Sequence, residues 1–243
     1  MSYDVIGRTY TRTRGTDPRI AAAIWEALGD ARTVLNVGAG TGSYEPSDRE
    51  LTAVEPSEVM IAQRPPEAAP VVQAPAEALP FDDGAFDAAM AVLTLHHWDD
   101  WRAGLEEMRR VARRMVVFSW DPSFARRLWI SAEYFPGLVD ADVSGFPTLA
   151  DQAAAVRATR VSAVPIPADC RDGFYGAHWK RPEAYLDPVV RAGISTMAKR
   201  NPDELAPGLA ALEADLGSGA WAERHADLLE LDELDLGYRL LVA

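Results

Sequence analysis

The chain has 243 residues, of which 48% are apolar, so it is long and apolar enough to fold around a substantial core. Its formal net charge of −13 disfavours a nucleic acid partner, because binding to phosphates requires a concentrated basic face. Cys170 is the one cysteine in the sequence, which excludes an intrachain disulfide and a cysteine-cluster metal site.

The chain shows no sign of a membrane or secretory segment. The N-terminal region lacks the apolar run of a signal peptide, and no later segment reaches the roughly 18 consecutive apolar residues of a membrane helix. We therefore expect a cytoplasmic protein without a membrane partner. The sequence leaves its oligomeric state open.

The first half of the chain alternates short apolar runs with helical stretches. The runs are rich in Val and Ala and nearly continuous, as in strands buried on both faces: TVLNVGA, ELTAVEP, APVVQAP, FDAAMAVLTL and RMVVFSW. The helical stretches precede the first run, follow the second and separate the last two: DPRIAAAIWEAL, PSEVMIAQR and DWRAGLEEMRRVAR. This order predicts an α/β, Rossmann-like doubly wound sheet with its ligand beyond the carboxyl ends of the strands.

The second half contains two segments without strand patterning. We predict that residues 123–147 and 170–235 are helical and loop insertions forming a lid over the active site, within a single domain of residues 1–243. Between them we expect a helix near residues 148–159 and a strand in RVSAVPIP, and GYRLLVA completes the sheet. The aromatic residues of the insertions can form a pocket for a planar or apolar small molecule: Phe124, Trp129, Tyr134, Phe135, Phe146, Phe174, Tyr175 and Trp179.

A glycine-rich loop follows the first strand, where Gly38, Gly40 and Gly42 form the pattern G-x-G-x-G. Glycines at this place allow a sharp turn or a close approach of the backbone to a ligand. A dinucleotide site requires G-x-G-x-x-G, and here Ser43 stands at the last glycine position. Glu55 ends the next strand, and its carboxylate can accept hydrogen bonds from both ribose hydroxyls. The alternative is a tight structural turn beside an unrelated acid.

Residues 3–122 resemble the class I S-adenosylmethionine-dependent methyltransferases, particularly the small-molecule branch that includes quinone-biosynthesis methyltransferases. Three motifs carry the resemblance in the family's order and spacing: NVGAGTG, AVEPSEVMIAQ and APAEALPFDDGAFDAAMAVLTLHHWDDW. The resemblance implies a seven-stranded sheet with an antiparallel last strand, here GYRLLVA. It also implies S-adenosylmethionine as cofactor and methyl transfer to oxygen, nitrogen or carbon of a small-molecule acceptor.

The resemblance further implies which residues contact the cofactor. The glycine loop would face the methionine part of the cofactor, and Glu55 would bind its ribose. The backbone at the end of the fourth strand would face the amino group of the cofactor. A leading helix in YDVIGRTYTRTR would place aromatic and basic side chains near the methionine carboxylate. The full implied set is Tyr3, Tyr10, Arg14, Asn36, Gly38, Ala39, Gly40, Gly42, Glu55, Pro56, Met60, Ala76, Glu77, Val92 and Leu93.

This sequence departs from the family pattern at two of the matching positions. Asn36 stands where the family usually has an acidic residue, and Pro75 stands where it commonly has an aspartate. The Asn36 side chain can still accept a hydrogen bond but brings no charge. The Pro75 side chain offers neither a hydrogen bond nor a charge.

Histidines are the candidate general bases, because an imidazole titrates near neutral pH and can take a proton from a hydroxyl or amine. His97 is the first candidate, His178 the second, and His96 adjoins His97 on the loop after the fourth strand. The alternative is that each of these histidines has a structural role and takes no proton from the acceptor. Neighbouring side chains of an extended segment point in opposite directions, so we expect no metal site at His96 and His97.

Two other functions remain open on the sequence. The chain can be a non-catalytic protein that binds S-adenosylmethionine, a reading that the departures at Asn36 and Pro75 keep open. A nicotinamide-dependent oxidoreductase is disfavoured by the glycine spacing and by the lack of a Tyr-x-x-x-Lys proton donor near the helix after the fourth strand.

Overall fold

The computed structural model of the protein describes residues 13–243. The strands of these residues are β1 (Thr33–Val37), β2 (Glu50–Val54), β3 (Val71–Val72), β4 (Phe86–Val92), β5 (Ala112–Trp120), β6 (Arg160–Ala163), β7 (Ile166–Pro167), β8 (Glu233–Leu234) and β9 (Tyr238–Val242). Their α-helices are α1 (Pro18–Ala27), α2 (Glu58–Ile61), α3 (Trp101–Val111), α4 (Pro122–Ala125), α5 (Asp140–Ser144), α6 (Leu149–Val156), α7 (Pro188–Gly193), α8 (Ser195–Ala198), α9 (Pro202–Ser218), α10 (Ala220–Arg224) and α11 (Ala226–Leu229). Further turns are 3₁₀ at Leu95–His97 and Pro182–Leu186, and π-helical at Ile130–Tyr134.

Seven of the described strands form one sheet in the order β3-β2-β1-β4-β5-β9-β6. Strands β1 to β5 pair in parallel, and β9 is antiparallel to β5, with Phe118 opposite Leu240. The prediction of a Rossmann-like sheet with an antiparallel last strand is therefore confirmed. Most side chains of the central strands are apolar, because helices cover both faces of such a sheet.

The chain divides into two compact units. One, the sheet unit, consists of residues 16–121, 147–164 and 238–243 and contains the whole seven-stranded sheet. The other, the aromatic unit, consists of the described residues 13–15, 122–146 and 165–237. The two predicted insertions fall within the aromatic unit apart from Pro147. That they form a lid stays a prediction, as does the single domain of residues 1–243.

The aromatic unit has a hydrophobic core of its own. Trp129 lies at its centre, where its ring makes edge contacts with the rings of Tyr134, Tyr185 and Trp221 at centroid distances of 5.9, 5.7 and 5.3 Å. Apolar side chains from α8 and α9 complete this core. Such edge-to-face contacts fix the relative orientation of the rings in addition to burying apolar area.

Two predicted elements are shorter than the sequence suggested. The run RVSAVPIP does not form one strand, because Pro165 and Pro167 lack the amide protons that a sheet ladder needs. Only Arg160–Ala163 joins the large sheet, and Ile166–Pro167 pairs with β8 in the aromatic unit. The helix predicted in PSEVMIAQR spans only Glu58–Ile61, and Pro65 and Pro66 follow shortly after its end.

The sheet brings the ends of β1 and β2 together at its carboxyl edge. The amides of Gly38 and Ala39 both donate to the carbonyl of Val54, each at 2.9 Å. The glycine loop is thus fastened to the neighbouring strand at the edge where doubly wound sheets bind ligands. Within residues 13–243, the helices are all too short or too polar to cross a membrane.

Asp87 fastens the opposite end of β1. Its carboxylate accepts hydrogen bonds from the amides of Arg32 and Thr33, each at 3.0 Å, and from the Thr33 hydroxyl at 3.1 Å. These hydrogen bonds lower the pKa of the Asp87 carboxyl below its ordinary value of 3.8, and the bond from the Thr33 backbone amide contributes most. A depressed pKa contributes stability above 3.8 that is lost as the pH falls through the folded value.

We therefore expect Asp87→Asn to destabilise the protein at neutral pH and to have a smaller effect at a pH well below 3.8, because the native aspartate loses its charge as the pH falls through its folded pKa. Urea unfolding of both proteins at the two pH values measures the difference. Asp82→Asn, at an exposed acid nearby, is the control. An equal destabilisation by Asp87→Asn at both pH values would contradict this role.

Candidate functional site

The glycine loop after β1 has left-handed backbone at all three of its glycines. Their φ angles are +69° at Gly38, +54° at Gly40 and +96° at Gly42. A Cβ added at Gly38 would come within 2.2 Å of the Thr94 hydroxyl, so this glycine is needed for contact between β1 and the segment after β4. At Gly40 the nearest described atom would be the Met60 methyl group at 3.4 Å. Among residues 13–243, Gly40 therefore leaves room for a group to approach the loop closely.

Glu55 holds this loop in place from the end of β2. One of its carboxylate oxygens accepts from the Gly40 amide at 2.8 Å, and the other accepts from the Ser57 amide at 3.0 Å. The residue is only 6% exposed. Two backbone donors stabilise the buried charge, and a carboxylate is an acceptor of the kind that ribose hydroxyls need.

Asn36, Glu45 and Arg64 form a buried polar network behind the loop. Arg64 donates to both carboxylate oxygens of Glu45 at 2.8 and 2.9 Å and to the Gly40 carbonyl at 3.3 Å. The Asn36 amide group donates to Glu45 at 3.1 Å. The Arg64 and Glu45 side chains are 4% and 9% exposed, so this ion pair is shielded from water.

The side-chain oxygen of Asn36 is buried and has no hydrogen-bond partner among residues 13–243. An unsatisfied buried acceptor costs free energy, so its presence at a ligand-binding edge indicates a donor supplied by a ligand or water. Sequence reasoning identified Asn36 but missed Glu45 and Arg64. The signal for Glu45 was an acid directly after the glycine loop, whereas Arg64 carried no signal because its partner is distant in the sequence.

The residues implied for the adenine and amino-group contacts lie at the same edge of the sheet unit. Met60 and Ala76 are buried and Pro56 is exposed. Glu77 accepts a hydrogen bond from the Asp100 amide at 3.0 Å, which engages one of its oxygens at the start of α3. Val92 ends β4, and Leu93 has a φ of +50°, a strained conformation for a leucine that sequence reasoning did not foresee.

The paired histidines follow in a 3₁₀ turn, Leu95–His97. Their rings lie side by side with centroids 3.7 Å apart, so the expectation that they point in opposite directions is wrong. The physical reason is the turn, which rotates successive side chains by much less than an extended strand does. No group of three metal-ligating side chains occurs among residues 13–243.

His178 belongs to the aromatic unit and is 8% exposed. Neither of its ring nitrogens has a hydrogen-bond partner in the described part of the chain. Burial lowers its pKa to about 4, and the charge of Arg181 acts in the same direction while Asp172 opposes it. The imidazole is therefore neutral at physiological pH, and the burial that lowers its pKa also makes it a weaker proton acceptor than a free imidazole.

Tyr3 and Tyr10 lie outside the described residues. Arg14 is described, and its guanidinium forms a buried ion pair with Asp172, a partner that sequence reasoning missed. The Arg14 side chain is 11% exposed and that of Asp172 is 1% exposed. Contact of Arg14 with a cofactor carboxylate stays a prediction.

Comparisons with known proteins agree with this geometry. Residues 35–118 match the family model described as a methyltransferase domain. A solved structure from Anabaena variabilis, assigned as a methyltransferase from an antibiotic biosynthesis pathway, is 34% identical with a TM-score of 0.86. The similarity covers 95% of this chain and 98% of that one. No curated protein sequence matches the chain.

Two more distant structures share the fold. An S-adenosylmethionine-dependent methyltransferase of Thermotoga maritima is 23% identical with a TM-score of 0.55, covering 68% of this chain and 84% of that one. Geranyl diphosphate C-methyltransferase of Streptomyces coelicolor, solved with S-adenosylhomocysteine, is 12% identical with a TM-score of 0.52. That similarity covers 93% of this chain and 75% of the other.

The buried network behind the loop makes a stability prediction. Arg64→Met leaves the Glu45 carboxylate without its cation, which we expect to lower the free energy of unfolding by about 3 kcal/mol. Arg113→Met, which removes an exposed ion pair with Asp87 in the same unit, should cost clearly less, because water screens that pair. Urea unfolding measures both, and adding Glu45→Met to Arg64→Met should restore part of the loss. Equal costs for the two arginine variants would contradict the role of the network.

Proposed function

Because this chain belongs to the family of S-adenosylmethionine-dependent methyltransferases, we propose that it methylates oxygen, nitrogen or carbon of a small-molecule acceptor. The relative from Anabaena variabilis supports a small-molecule acceptor, since it is assigned to an antibiotic biosynthesis pathway and aligns over nearly its whole length. The aromatic composition of residues 122–146 and 165–237 favours an acceptor with planar or apolar parts. A screen of metabolites for products heavier by one methylene, with S-adenosylmethionine present, tests this proposal.

The unsatisfied oxygen of Asn36 is the observation that carries the cofactor assignment. It is a buried acceptor at the carboxyl edge of the sheet, and the amino group of S-adenosylmethionine is a donor of the kind it lacks. Gly40 leaves room for close approach of a ligand to the loop, and Glu55 presents a carboxylate for ribose hydroxyls. The residues present therefore fit this cofactor, whose activated methyl group is the group transferred.

The protein's own contribution is alignment, exclusion of water and, where the acceptor needs it, removal of a proton. His178 has the stronger support among the three candidate bases. Its two ring nitrogens are buried without partners in the described chain, so one of them can accept a hydrogen bond from the acceptor's hydroxyl or amine. His97 and His96, whose rings lie close together at an interplanar angle of 49°, remain the alternative.

We expect Gly40→Ala to weaken S-adenosylmethionine binding at least about tenfold while the protein still folds. The added methyl group would occupy the room beside the loop without meeting described protein atoms closer than 3.4 Å. Calorimetry measures the affinity. Gly84→Ala is the matched control, because Gly84 has a similar φ of +66° but open space around its Cβ position. Wild-type affinity in Gly40→Ala would contradict a cofactor at this loop.

We expect His178→Leu to reduce kcat about a hundredfold on an acceptor that needs deprotonation, with cofactor affinity unchanged. Thermal stability should stay equal or rise, because two buried nitrogens without partners are removed. In the parent protein, kcat should not fall between about pH 8 and pH 5, since the lowered pKa keeps this base neutral.

His97→Ala provides the comparison for this prediction. If His97 is the base, His97→Ala shows the hundredfold loss of kcat and His178→Leu does not. Retention of both rate and pH profile by His178→Leu would exclude His178 as the base.

A further inference from the structure

The aromatic unit contains a cavity of about 450 Å³ that no part of the cofactor assignment uses. All of its lining residues come from residues 124–133, 176–185 and 224–236, so it lies entirely within one compact unit. A volume of this size is within the range of small-molecule pockets in proteins, about 300–1,000 Å³. We call it the Trp129 cavity.

The aromatic walls of the Trp129 cavity are held rigidly. The indole of Trp129 donates to the carbonyl of Trp179 at 3.0 Å, and the indole of Trp179 donates to the carbonyl of Ile166 at 2.9 Å. Tyr185, a third lining residue, packs edge-on against Trp129. Because both indole N–H groups donate to backbone carbonyls, the two indoles contribute apolar surface to the cavity lining in fixed positions.

A histidine with an orienting carboxylate also lines the cavity. His225 is 9% exposed, and its Nε2 lies 3.0 Å from a carboxylate oxygen of Glu133. Glu133 is itself paired with Arg224, which forms a second ion pair with Asp215. A carboxylate at Nε2 favours the tautomer protonated there, so Nδ1, which bonds to no described residue, is left as an acceptor.

The charges at the cavity favour a neutral ligand. Its lining includes two arginines and three acidic residues. Arg224 is engaged by Glu133 and Asp215, and the guanidinium of Arg127 lies 4.5 Å from the centre of the Phe124 ring. Neither arginine is therefore positioned as a dedicated partner for an anion.

We propose that the Trp129 cavity binds a neutral, planar hydroxyaromatic molecule. Its ring packs against Trp129 and Trp179, and its hydroxyl donates a hydrogen bond to Nδ1 of His225. Such a ligand is either the methyl acceptor, which rests on the proposed function, or a separate molecule that is not methylated. The two sources share the same recognition chemistry.

The test compares 2-naphthol with naphthalene, which has the same ring and no hydroxyl. Quenching of tryptophan fluorescence in the full-length protein measures the affinity of each. We expect wild-type protein to prefer 2-naphthol about fivefold, and His225→Phe to bind both equally. Glu133→Ala should reduce the preference for 2-naphthol without removing an aromatic side chain from the lining. Glu230→Ala, at an exposed acid close to His225 in the sequence, should keep the preference.

Mass spectrometry after addition of S-adenosylmethionine separates the two sources of ligand. Methylated naphthol identifies the cavity as the acceptor site, and unmethylated bound naphthol identifies a separate ligand site. Calorimetry with S-adenosylmethionine on the same protein tests the proposed function independently. The cavity proposal is overturned if wild-type protein binds neither probe saturably, binds both equally, or keeps its preference in His225→Phe.

Discussion

The candidate cofactor site depends on one buried carboxylate, Glu55, which holds backbone amides from two different loops. A charge that is 6% exposed is tolerable only if donors surround it, and here the Gly40 and Ser57 amides provide them. The Gly40 amide reaches Glu55 because the loop passes through left-handed conformations that side chains with a Cβ rarely adopt. The glycine spacing and the acid at the end of β2 are thus parts of one arrangement.

The two compact units supply different chemistry. The sheet unit provides a backbone edge with fixed donors and acceptors, which suits a cofactor whose polar groups are always the same. The aromatic unit provides buried rings and histidines, which suit recognition of a planar molecule. The aromatic unit has its own core, so we expect substitutions around Trp129 to leave the seven-stranded sheet intact.

The fold was predictable because its signals are local: nearly continuous apolar runs for β1 to β5, and glycines at the end of β1. The run RVSAVPIP was predicted as one strand from its apolar composition, but Pro165 and Pro167 lack the amide protons that would continue β6 beyond Ala163. Glu45 with Arg64, and Glu133 with His225, were not predictable, because the partners of each pair are brought together by tertiary structure. The close approach of the His96 and His97 rings was also not predictable, because it depends on a turn that apolar patterning does not reveal.

Hydrogen exchange at the glycine loop tests the central claim most directly. If S-adenosylmethionine binds between the loop and Glu55, its addition slows amide exchange in peptides that cover Gly38–Gly42 and residues 55–57. Addition of NAD at the same concentration leaves those peptides unchanged. Binding of S-adenosylmethionine without protection of these peptides, or equal protection by NAD, would contradict the account.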